Sequence, residues 1–142
     1  VLPLLVTFIP MLTDTGGNAG SQSSTLIIRG MAVGDIHPSD MMRVIWKELR
    51  VGLIVGTVLG LVNFIQLSLR YPGQEMVCLT VVLSLLATVI IAKTIGGILP
   101  MAAQVLHLDP AIMAAPLITT IVDAVSLVLY FQLACQLLHL SV

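Results

Sequence analysis

Charge is what this sequence has least of. Only 9% of its 142 residues are Asp, Glu, Lys or Arg, against about 25% in a typical soluble domain. Together with a hydrophobic fraction of 58% and a mean hydropathy of +1.10, that deficit excludes the water-soluble globular classes and disorder with them. Basic residues number six and the net charge is −1, so the footprint of a nucleic-acid-binding protein is missing. The two cysteines, Cys78 and Cys135, lie within apolar runs and lack metal-ligand spacing; they read as small hydrophobes. The alternating pattern of a membrane β-barrel is absent, as are low-complexity segments and internal repeats. What is left is an all-α integral membrane protein. No basic segment precedes the first apolar residues, which argues against a signal peptide; the expectation is a piece of a longer protein, cut on its N-terminal side.

A membrane-spanning helix needs about 20 mostly apolar residues. Four stretches qualify: Val1 to Ile28, Val44 to Leu69, Met76 to Leu106 and Ala111 to Leu140. The first connection, Gly30 to Met42, offers Ser39 or Asp40 as a cap for the second helix. Tyr71-Pro72-Gly73 makes a turn. His107-Leu108-Asp109-Pro110 ends the third helix, and Pro110 suits the first turn of the fourth. Arg29, Arg43, Lys47 and Arg50 surround the first connection, whereas the second has only Arg70 next to Glu75. Because basic loops stay inside, the first and third connections are expected in the cytoplasm, with Val1 and the C-terminus external. A cytoplasmic N-terminal part would then need one more helix before Val1. Arg43, Lys47 and Arg50 share one face at the cytoplasmic edge, where they read as anchors to lipid headgroups.

Polar groups at membrane depth carry the functional information. A carboxylate at a helix centre costs roughly 2.5–3.5 kcal/mol on insertion scales, and such acids usually serve a function. Asp123, near the middle of the fourth span, is therefore a candidate ion or proton site rather than a structural carboxylate. Thr119, Thr120 and Ser126 flank it at helical spacing, although such hydroxyls often bond back to their own helix. Pro116 cannot donate to the carbonyl of Ile112, which predicts a free oxygen and a bend. The first span carries Thr7, Asp14, Asn18, Gln22, Thr25 and Arg29 at spacings of 7, 4, 4, 3 and 4, one helical face that must meet protein or water. Six positions exceed what gluing helices together needs, which favours a pore wall. Gly16, Gly17 and Gly20 give another helix room to approach. Lys93 is expected to be structural, either snorkelling or paired with an acid such as Asp14. His37, His107 and His139 lack mutual ligand spacing and read as solvated.

Three segments together resemble the membrane domain of the MgtE magnesium channel/transporter family. They are Thr13-Asp14-Thr15-Gly16-Gly17-Asn18-Ala19-Gly20-Ser21-Gln22-Ser23-Ser24-Thr25 with Arg29-Gly30; Gly96-Gly97-Ile98-Leu99-Pro100; and Asp109-Pro110-Ala111 with Pro116, Thr119-Thr120 and Asp123. The resemblance covers essentially the whole chain. It implies a homodimer with five membrane helices per subunit, of which this chain supplies helices two to five. It also implies cytoplasmic N and CBS domains that sense intracellular Mg²⁺, and a pore on the dimer axis lined by the first and fourth helices here. The family's central ion-binding aspartate falls on Asp123, the assisting backbone oxygen on Thr119 and the pore-lining amide on Asn18, with Gln22 one turn on; Asp14 stands where many members are acidic. Some members carry an amide just before the last-helix proline, where this chain has Ala115.

Mg²⁺ gives up its water reluctantly, so a pocket holding a largely hydrated ion suits conduction better than a stripped cage. The resemblance thus implies passive entry of Mg²⁺, or of related divalents such as Mn²⁺ or Co²⁺, across the inner membrane. A proton-coupled carrier using Asp123 is the nearer alternative. A bundle whose polar groups only hold helices together is another. An intramembrane aspartyl protease would need two carboxylates sharing a proton, and the YD and GxGD motifs of that family are missing here.

Overall fold

The computed structural model describes residues 2–113 and 115–139, without the side chains of Leu2, Met113 and Ala115. The expectations for Val1, for the C-terminal residue, for a fourth span ending at Leu140 and for the alanine at 115 lie outside the described residues. Within these residues five helices follow one another: α1 (Leu2–Thr7), α2 (Ile9–Ala32), α3 (Met41–Arg70), α4 (Glu75–Val105) and α5 (Ala115–Leu137), with 3-10 turns at Pro38–Asp40 and Pro110–Met113. Among the described residues there is no strand. Among the described residues three segments are long and apolar enough to cross a membrane: Pro38–Arg70, Glu75–Val105 and Pro116–Leu137. At 24 residues α2 has the length, but its polar stripe leaves it outside that set.

Several boundaries depart from the sequence reading, each for a local reason. The expected first span is not continuous. It breaks at Phe8, because Pro10 has no N–H for the Val6 carbonyl and its ring crowds that oxygen. Phe8 N–H turns back to the Leu5 carbonyl at 3.2 Å, and Leu12 N–H restarts the ladder on the Phe8 carbonyl at 3.1 Å. Neither Ser39 nor Asp40 caps α3 through its side chain. The Asp40 carboxylate instead accepts the His37 N–H at 3.0 Å, closing the 3-10 turn before it. The fourth span does not start at Ala111. Asp109 accepts the Ala111 N–H at 2.9 Å, which fixes a separate turn opened by Pro110. At the second connection Gly73 takes φ +83°, a conformation that glycine adopts without strain.

The bundle is built around α4. Half of its apolar window is buried, against 22% for the α3 window and 28% for that of α5. It packs on α2, α3 and α5, and α2 also packs on α5. Glycines set these distances. Gly52, Gly56 and Gly60 of α3 face Ile90, Leu86 and Val82, an antiparallel pairing. Gly16 faces Thr88, and Gly20 faces the Ala92 carbonyl, so α2 and α4 run parallel; Gly16, Gly17 and Gly20 also meet Val122, Thr119 and Ile118 of antiparallel α5. The close approach expected at Gly16, Gly17 and Gly20 is thus present. A Cβ on Gly96 would land on the Gly20 carbonyl, so the α2–α4 crossing is a backbone-to-backbone contact of the kind small residues permit.

Leu5, Phe8, Leu12, Val81, Leu85 and Tyr130 fill one end of the bundle, where the Tyr130 hydroxyl donates to the Leu5 carbonyl at 2.8 Å. Val89, Ala92, Ile118 and Val122 fill the middle, and Ile27, Val44 and Met101 the other end. The outer face of α3 exposes Leu53, Ile54, Val58, Leu61, Val62 and Ile65, a stripe that suits hydrocarbon and not water. Arg43, Trp46, Lys47 and Arg50 continue that face into the first turns of α3 and are all exposed. The Arg50 guanidinium lies 5.7 Å from the Trp46 ring centroid.

Candidate ion path

Helix α2 is polar on its open side and small on its packed side. Leu12, Gly16, Gly17, Ala19, Gly20, Ser23, Ser24 and Ile27 are buried, whereas Asp14, Asn18, Gln22, Thr25 and Arg29 are exposed. The i, i+4 spacing produces that division, and tight packing of the glycine side turns the polar side outward. Thr7 does not join the stripe: it belongs to α1, and its hydroxyl donates to the Leu4 carbonyl at 2.6 Å.

The polar side of α2 meets α5 in an open cleft of about 330 Å³, lined by Pro10, Thr13, Asp14, Gly17, Asn18, Thr119 and Asp123. Gly17 makes this meeting possible. A Cβ there would sit 3.1 Å from Thr119 Cγ2 and 3.8 Å from Asp123 Oδ1, so a bulkier residue would push the Asp123 turn of α5 away. Of the five candidate site residues, the fold therefore gathers Asp14, Asn18, Thr119 and Asp123 around one cleft. Gln22 lies one turn further along, in a hollow of about 450 Å³ shared with Asn18, Ser21, Thr25 and Leu26. Asn18 borders both, so the two openings form one polar track along α2. Among the described residues Ser21 Oγ is buried without a hydrogen-bond partner.

The hydroxyls near Asp123 are occupied within α5. Thr119 and Thr120 both donate to the Pro116 carbonyl, at 3.0 Å and 2.9 Å, and Ser126 donates to the Val122 carbonyl at 2.6 Å. The bend expected at Pro116 does not occur, because Pro116 stands in the first turn of α5, where its missing N–H has no helical partner to lose. What α5 offers the cleft is the Asp123 carboxylate and backbone oxygen, whose carbonyls keep a second lone pair. Among the described residues the ion pairs are those of Glu48 with Lys47 and Lys93; neither Asp14 nor Asp123 has a cationic partner. Unpaired carboxylates with amide and carbonyl oxygens suit a hard cation. Among the described residues no group of three or more His, Cys, Asp and Glu is placed to hold a metal. His37, His107 and His139 are exposed as expected.

Lys93 is paired, but not with Asp14. Its ammonium lies 3.8 Å from Glu48 Oε2 and donates to Ser23 Oγ at 3.1 Å. Glu48 was missed in the sequence reading, although it is an acid inside an apolar span and so deserved the scrutiny given to Asp123.

The sequence profile of the MgtE divalent cation transporter family matches residues 9–133, from the first turn of α2 to near the end of α5, and so spans the whole cleft. The chain belongs to the MgtE family. Family relatives named magnesium transporter MgtE share 38% identity over 136 residues in Thermus thermophilus and 35% over 135 residues in Bacillus subtilis, each match covering 95% of this chain. A third, from Enterococcus faecalis, shares 32% over 136 residues and 96% of this chain. The chain spans 30% of the length of each of these relatives. The family is one of multi-pass membrane transporters and not of enzymes.

Proposed function

We propose that this chain forms the membrane path for Mg²⁺, with related divalents such as Mn²⁺ and Co²⁺ as further cargo, and that it does so as a homodimer. The observation that carries the reading is the meeting of Asp14, Asn18, Thr119 and Asp123, two of them carboxylates without a cationic partner, at an open cleft. A polar helix face directed away from its own bundle needs a protein or aqueous neighbour inside a membrane. A second copy supplies both when the two polar faces meet across a two-fold axis. Asp123 then occurs twice near the axis. Two carboxylates repel each other, and a divalent cation neutralises them where a monovalent ion leaves residual charge. Asn18, Gln22 and the carbonyl of Thr119 hydrogen-bond the ion's water shell, and Asp14 adds negative charge at one mouth. Binding through water is weak enough for release. Uptake is passive, with the basic first connection on the cytoplasmic side, where N and CBS domains of the parent protein gate the path.

Reconstitution into vesicles with an entrapped Mg²⁺ indicator tests this. The wild-type chain should pass Mg²⁺ down its gradient, unchanged by a pH gradient at fixed membrane potential. Asp123→Ala and Asp123→Asn should each lower the flux at least tenfold. Equal flux through Asp123→Ala and wild type would refute the assignment, and a pH-driven flux would replace the channel with a carrier.

A further inference from the structure

The buried Ser23–Glu48–Lys93 cluster lies behind the polar track, on the far side of α2. All three side chains are withdrawn from solvent, at 0%, 2% and 6% exposure. Ser23 Oγ donates to Glu48 Oε2 at 2.6 Å, and Lys93 reaches both, at the distances given above. Glu48 Oε1 lies 3.5 Å from the exposed Lys47 ammonium. The site is built for the acid: a Cβ on Gly97 would come within 3.1 Å of Glu48 Cγ and 3.2 Å of Val44 Cγ1. Gly97 thus opens the space that Glu48 fills, just as its neighbour Gly96 admits Gly20.

A buried lysine is an odd neighbour for a cation path. Ser23 follows Gln22 directly, and a helix with its side chains is about 10–12 Å across. Lys93 therefore stands roughly one helix diameter behind the residues that face the ion. Packed side chains screen charge poorly, so an uncompensated ammonium there would oppose the field of Asp14 and Asp123. Glu48 cancels it. We infer, building on the function proposed above, that Glu48 is a specificity-determining residue: by neutralising Lys93 behind the wall of α2, it keeps the path's preference for doubly charged ions.

The signs make this separable from a packing role. Glu48→Gln keeps the shape and leaves one positive charge; Lys93→Met leaves one negative charge; the double variant is neutral again. The energy of a passing ion scales with its charge, so a fold-change for Mg²⁺ is the square of that for K⁺. In vesicles carrying the full chain, Glu48→Gln should raise the half-saturating Mg²⁺ concentration about tenfold and lower the Mg²⁺/K⁺ flux ratio about threefold. Lys93→Met should move both the other way, and the double variant should return both to within about twofold of wild type. Both quantities are independent of how much protein is folded. A packing role predicts that both single variants move the ratio in the same direction or not at all, and either result overturns the inference. If one single variant cannot be purified folded, the other decides: a half-saturation shifted in the direction its charge dictates upholds the inference, and an unchanged or oppositely shifted one overturns it. Asp123→Ala runs alongside. Wild-type flux that survives Asp123→Ala overturns the proposed function itself, whereas loss of flux there with unaltered selectivity at Glu48→Gln overturns this inference alone.

Discussion

Gly96→Ala should loosen the bundle, although alanine is the better helix former. The methyl group would land on the Gly20 carbonyl oxygen, with the Gly20 carbonyl carbon at 2.9 Å and Cα at 3.1 Å. All three atoms are backbone, so no rotamer change relieves the contact, and α2 must shift away from α4. Overpacking of this kind costs about 1–3 kcal/mol, and an immovable neighbour puts it at the upper end. Helix propensity returns about 1 kcal/mol. The net expectation is a loss of about 2 kcal/mol, a factor of roughly 30 in the folded/unfolded ratio. Gly60→Ala is the matched control. Its Cβ meets only Val82 Cγ1, at 3.2 Å, a side chain that can turn, so that variant should be neutral or gain up to about 1 kcal/mol. Reversible unfolding in mixed micelles, read by pulse proteolysis, measures both. The reasoning about the α2–α4 crossing is wrong if Gly96→Ala proves as stable as Gly60→Ala.

Other consequences can be checked as directly. Tyr130→Phe removes the hydroxyl that holds the Leu5 carbonyl and should cost about 1 kcal/mol, with faster hydrogen exchange confined to α1 and the turn at Phe8. Trp46 is the only tryptophan and is exposed beside three basic side chains; its fluorescence should be quenched more by lipids brominated near the headgroup than near the chain end, and stronger deep quenching would contradict the interfacial placement of the first turns of α3.

Much of the fold was legible because hydropathy and punctuation agree along α3 and α4. Pro72-Gly73 and Asp109-Pro110 mark real chain reversals. The cleft was legible because spacing alone places Asp14, Asn18 and Gln22 on one face of α2, and because Asp123 is conspicuous in an apolar run. Three things were not. Summed hydropathy hides the break at Phe8, since apolar residues continue through it and only the missing Pro10 N–H interrupts the helix. The partner of Lys93 depends on which helices touch, and sequence alone does not specify that α3 and α2 both lean on α4. The four-residue repeat Gly52, Gly56, Gly60 was visible as a signal for close helix approach, but such a repeat does not name the helix that approaches. At Pro116, the bend failed because a proline's effect depends on where its helix begins.

The polarity of α2 also bears on how the protein is made. α2 is translated before α3, α4 and α5, yet it alone among the four long helices falls short of the apolar character needed to cross a membrane. Its stable seat consists of Ala92 and Gly96 of α4 and Ile118 and Val122 of α5, none of which exists when α2 leaves the ribosome. Chain order therefore leaves α2 without its seat at first, and the expectation is that it stays reachable from the membrane surface until α4 and α5 have been made. In a series of truncated chains, a label on α2 should gain protection once Gly96 is present and reach full protection only when Ile118 and Val122 of α5 are present as well.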